Sequence, residues 1–73
     1  MTTPGVYYGY HSDMVRHGYS WDLTNEFPEY RYYVLIQLFD EPPCHTSYRS
    51  YQEAFDFSEL SSKLHDLPLI LIN

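Results

Sequence analysis

His11, Asp13 and His17 fall within seven residues of one another, and Cys44 is followed at once by His45. Imidazole, carboxylate and thiolate are the groups that hold transition metals and act as nucleophile or base, so these positions come first. The spacing of the first group matches none of the tight Cys/His pairs of zinc sites. Neighbouring residues in an extended segment point to opposite sides, which keeps Cys44 and His45 from ligating together. Asp40 and Glu41 lie four and three residues before Cys44, an acidic setting that opposes a thiolate nucleophile. That carboxylate pair reads as a solvated turn rather than a proton-transfer dyad. There is also no phosphate-cradling glycine loop and no GxSxG elbow. No metal, cofactor or catalytic residue is expected, and the chain is read as non-enzymatic.

The aromatic residues form a different signal, with nine Tyr, four Phe and one Trp in 73 residues. A chain of this length buries only about 60% of the surface that it exposes when unfolded, so its core is a few side chains deep. Tyr32 and Tyr33 are accounted for by a strand. Tyr7, Tyr8, Tyr10, Tyr19, Trp21, Tyr48 and Tyr51 are more than such a core can enclose, so several are expected at the surface. Partly exposed Tyr and Trp anchor protein interfaces, because each joins a large apolar body to a polar tip.

Ten acidic side chains against four basic ones give a net charge of −6. Nucleic-acid affinity rests on Lys and Arg neutralising phosphates, so direct nucleic-acid binding is not expected. The same charge suits a basic partner and speeds association at low salt. It also serves simply to keep a small apolar domain soluble. Cys44 is the sole cysteine, so an intrachain disulfide is ruled out and a reducing compartment is the expected setting. No stretch approaches the ~20 apolar residues of a membrane helix, and the apolar run 67–72 is broken by Pro68. No secretion signal is read, and the expected location is the cytoplasm.

These residues need elements to position them. The chain reads as one small domain, 1–73, with 1–5 as a flexible terminus. Residues 6–10 and 19–23 are short β-prone runs, separated by a polar stretch without a clear period. Residues 30–39 are dense in aromatic and β-branched types and contain no Gly or Pro, the mark of a central strand. By period 2, Tyr32, Val34, Ile36 and Leu38 share one face. Pro42 and Pro43 end it, and 44–49 read as a polar loop. Ser50 with Glu53 matches a capping box. It opens a helix over 51–65 whose apolar positions Ala54, Phe57, Leu60, Ser61 and Leu64 are expected to face the core. Residues 69–72 then form a terminal strand, placed beside 30–39.

The expected fold is α+β: an antiparallel sheet of three or four strands with one amphipathic helix on a face, in β-β-α-β order. Val34, Ile36, Leu60, Leu64, Leu69 and Leu71 are the expected core. Phe55 is placed on the outer helix face among Asp56, Glu59 and Asp66. The expected partner-binding surface comprises Asp40, Glu41, Tyr48, Tyr51, Phe55, Asp56, Glu59 and Asp66. Its expected occupant is a protein with a basic surface, of the kind found in nucleic-acid-handling complexes. Small phage or mobile-element inhibitors of CRISPR effectors, restriction enzymes or RNA polymerase often have this size, charge and build, an analogy of class that rests on no motif, and nucleic-acid mimicry is the mode of action expected here. The alternative is an assembly module, a homodimer or small subunit joined through the tyrosine-rich surface.

Overall fold

The computed structural model describes residues 3–19 and 28–73. They form a four-stranded mixed sheet with two helices, in the order β1 (Gly5–Tyr10), α1 (His11–Arg16), β2 (Tyr32–Gln37), β3 (Cys44–Tyr48), α2 (Tyr51–His65) and β4 (Leu69–Ile72). The α+β class is as expected. The sheet order is β3-β2-β1-β4. β2 runs antiparallel to both β1 and β3, whereas β4 runs parallel to β1.

That parallel pair corrects two expectations: the sheet is not wholly antiparallel, and the terminal strand lies beside β1 rather than beside β2. Both edges of β2 are already taken by β1 and β3, which leaves the outer edges of β1 and β3, and the last strand takes that of β1. β3 and β4 run in the same direction, and parallel strands need a long crossover, which α2 supplies by spanning the sheet from one edge to the other. The expected loop at 44–49 is instead the edge strand β3. Its polar residues suit a position with one side open to water. The polar stretch after β1 is also ordered, as α1. Gly18, at φ 82°, closes that helix in a Schellman turn, with the Tyr19 N–H donating to the Met14 carbonyl oxygen at 2.8 Å. Apart from Tyr19, the expected strand 19–23 lies outside the described residues, as does Trp21.

The sheet is covered on both faces. On one, Val6, Tyr8, Val34 and Ile36 meet Ala54 of α2. On the other, Tyr7, Leu35 and Ile72 meet Met14 of α1. This two-sided cover is how Tyr7 and Tyr8, adjacent in sequence, are both buried.

α2 begins where expected, with the Ser50 hydroxyl accepting from the Glu53 N–H at 3.2 Å. Its orientation is not as expected. Ala54, Ser58 and Ser61 are its buried residues, whereas Leu60 is 64% and Leu64 75% exposed. Phe55, expected in solvent, packs against the core instead. The helix is turned by roughly 70° from the expected face, less than the ~100° step of one residue. The cause is the sheet below it, where Tyr8, Tyr32 and Tyr48 already fill the space near the helix. Small residues therefore come down onto the strands, and Phe55 and Phe57 straddle them. The Ser58 hydroxyl is satisfied within the helix, donating to the Ala54 carbonyl oxygen at 2.7 Å. Of the other expected core residues, Val34 and Ile36 are buried, Leu69 is half-buried against the core, and Leu71 is 47% exposed.

Candidate functional site

The histidine-rich stretch resolves into separate engagements. Asp13 is paired with Arg16 at 2.8 Å. The His11 ring lies against Tyr33, with centroids 5.4 Å apart. His17 Nε2 donates to the Asn73 carbonyl oxygen at 3.0 Å. His45 points to the face opposite exposed Cys44 and packs on Tyr33 at 5.5 Å. Burial pulls His45 below the usual histidine range, favouring the neutral ring. Among the described residues, no three His, Cys, Asp or Glu side chains converge as a metal-ligand set.

The expected binding residues divide between the two ends of the sheet. The register pairs Gly5 with Gln37 and Tyr10 with Tyr32, so the turn after β2 lies where β1 begins. Asp40 and Glu41 are exposed in that turn, and Asp40 adopts the left-handed conformation at φ 60°. Asp66 caps α2 at φ 53°, just ahead of β4, whose Leu69 pairs with Val6 at the same end. Tyr51 and Phe55 belong to the opposite end. There Tyr51 stacks on Phe55 at 6.1 Å and meets Tyr32 edge-on at 6.0 Å. Tyr48 pairs with Tyr32 across β2 and β3 and so belongs to the same end, half-buried, with its ring 5.6 Å from Phe57. Burial first, and then the nearby Glu53 carboxylate, raise its hydroxyl above the usual tyrosine range.

Two surface features collect most of what remains. The first is the outer side of α2. Asp56 accepts from Gln52 at 2.7 Å, and Glu59 is paired with Lys63 at 3.4 Å. Leu60 follows Asp56 by four residues and precedes Leu64 by four, so acidic and apolar side chains share one exposed strip with Glu53. Among the described residues, the salt bridges are Asp13–Arg16 and Glu59–Lys63. Asp40, Glu41, Asp56 and Asp66 therefore keep their charges toward water.

The second feature is an open cleft of about 230 Å³ at the aromatic end, lined by Gly9, Tyr10, Tyr32, Tyr51, Leu71, Ile72 and Asn73. Tyr10 and Tyr32 lie 4.9 Å apart, and the Tyr32 hydroxyl donates to that of Tyr10 at 3.4 Å. This bond, more than burial, raises Tyr32 above the usual tyrosine range.

Tyr51 is legible from the sequence as a surface ring, but its neighbours Tyr10, Tyr32 and Leu71 are not. Period 2 put Tyr32 on the correct face; only the pairing of β1 with β2 and β4 shows that the ring lies at the open end. Leu60 and Leu64 were missed as surface residues because their spacing is that of a core stripe. No family model, curated protein or solved structure matches this chain. Among the described residues, no helix is long and apolar enough to cross a membrane.

Proposed function

We propose that this chain is a non-enzymatic binding module that docks on a basic surface of a protein partner through the outer side of α2. The observation that carries this reading is the exposure of Leu60 and Leu64 beside Glu53 and Asp56. Exposed leucines supply the desolvated centre that a stable interface needs. The carboxylates around them select a basic counterpart and, with the net charge of −6, speed the encounter. The finer form of the proposal is that the partner handles nucleic acid and that these carboxylates occupy its phosphate sites, in the manner of a small phage-type inhibitor acting in the cytoplasm. Support for this form is the charge and size alone.

The test is affinity purification from the native host with wild-type bait and two variants, Leu60→Ser/Leu64→Ser and Glu53→Gln/Asp56→Asn. A nucleic-acid-handling protein retained at about 50 mM salt, lost near 500 mM and depleted by both variants is the expected result. Capture that ignores salt and both variants overturns it.

One observation favours a second reading. β3 is an edge strand of the sheet that α2 covers, and an open edge together with exposed leucines on that helix is a surface that a second copy can use. In that case, light scattering shows a dimer that is indifferent to salt and lost in Leu60→Ser/Leu64→Ser.

A further inference from the structure

The cleft at the aromatic end has a composition with specific chemical consequences. Its walls are the rings of Tyr10, Tyr32 and Tyr51 with the side chains of Leu71 and Ile72, completed by Gly9 and Asn73, and no acidic or basic side chain lines it. The Tyr32 and Tyr51 ring planes stand 76° apart, and those of Tyr10 and Tyr32 are tilted by 32°. The cleft is thus bounded by rings in different orientations rather than by one flat stack. Tyr10 and Tyr51 are 51% and 45% exposed, so both are reachable from solvent.

An aromatic face carries partial negative charge and attracts a cation that lies within about 6 Å of its centre. A strongly hydrated cation, such as a metal ion or a primary ammonium, gains little here, because a mainly apolar lining without acidic side chains cannot replace its water. A methylated ammonium group holds water weakly and presents an apolar surface around its charge. It matches both the rings and Leu71, and the net charge of −6 attracts it from a distance.

We propose that this cleft is a binding site for a quaternary ammonium head group, held by cation–π contact with Tyr10, Tyr32 and Tyr51 and by apolar contact with Leu71. Such a group is borne either by a free choline-like molecule or by a trimethylated lysine side chain. The site lies away from Leu60 and Leu64 and does not depend on the reading of α2 as a docking helix.

NMR titration of the tyrosine ring and Leu71 methyl signals tests this with four probes: choline, its uncharged carbon isostere 3,3-dimethyl-1-butanol, Nε-trimethyl-lysine and unmodified lysine. Choline is expected to give saturable shifts confined to the cleft, with Kd on the order of 1 mM, and the isostere to bind roughly tenfold more weakly. Tyr51→Leu and Tyr10→Leu should each weaken binding by roughly fivefold, while Tyr10→Phe, which keeps the ring, should retain it. Unmodified lysine should give no saturable shift. Trimethyl-lysine binding more tightly than choline assigns the site to a protein side chain, and the reverse order assigns it to a free ligand. Equal binding of choline and the isostere, or no saturable shift with either methylated cation, overturns the proposal. So does a Tyr10→Phe variant that folds normally but loses the site. Leu60→Ser/Leu64→Ser should leave all these titrations unchanged, so failure of the docking reading remains separate.

Discussion

Gly9 faces Ile72 across the parallel ladder, and a Cβ added there would lie 2.3 Å from the Ile72 carbonyl oxygen. The absence of a side chain is what lets β4 approach β1 this closely. Gly9→Ala should therefore push the last strand away and destabilise the fold by about 1–3 kcal/mol, read as a lower urea midpoint. An unchanged midpoint would show that β4 gives way at little cost. From the sequence, Gly9 was visible only as an interruption in a β-prone run. Nothing in residues 5–10 states which strand presses against it, because that strand lies sixty residues further along the chain. The tyrosines show the same limit. Tyr7 and Tyr8 looked too numerous for a thin core, yet cover on both faces of the sheet buries both.

At the scale of the element, α2 separates what is local from what is not. Its limits were legible in Ser50, in the run of helix-favouring residues and in Pro68, all of which act over a turn or two. Its buried face was not. Leucines at 60 and 64 fit a core stripe by period, but the rings on the strands leave room only for Ala54, Ser58 and Ser61 at closest approach. Phe55→Ala should cost about 3 kcal/mol or somewhat less for its partial exposure, whereas Leu60→Ala and Leu64→Ala should each change stability by only about 0.5 kcal/mol. Chemical denaturation of the three variants measures this, and a larger loss at Leu60 than at Phe55 would restore the face expected from periodicity. The strip that periodicity puts inside the protein is thus exposed apolar surface, which moves the candidate interface along the helix from Phe55 to Leu60 and Leu64.

For the whole molecule, the charge of −6 acts against compactness, since the carboxylates repel one another more than Arg16 and Lys63 compensate. Raising the salt from about 10 to 300 mM screens that repulsion over distances beyond the Debye length. The melting temperature should therefore rise with salt; a fall would mean that the Asp13–Arg16 and Glu59–Lys63 pairs outweigh the repulsion. Composition and short-range pattern determined the α+β class, the central strand with Val34 and Ile36 at its core, the capped helix over Tyr51–His65 and the surplus of aromatic rings. These follow from propensity, capping and period, which operate between near neighbours. Tertiary structure alone decided the strand order, the parallel pairing of β4 with β1, the strand character of Cys44–Tyr48, the side of α2 that is buried and the meeting of Tyr10, Tyr32, Tyr51 and Leu71. Each depends on which edge or space other segments have already filled, a competition among residues distant in the chain that no local pattern records.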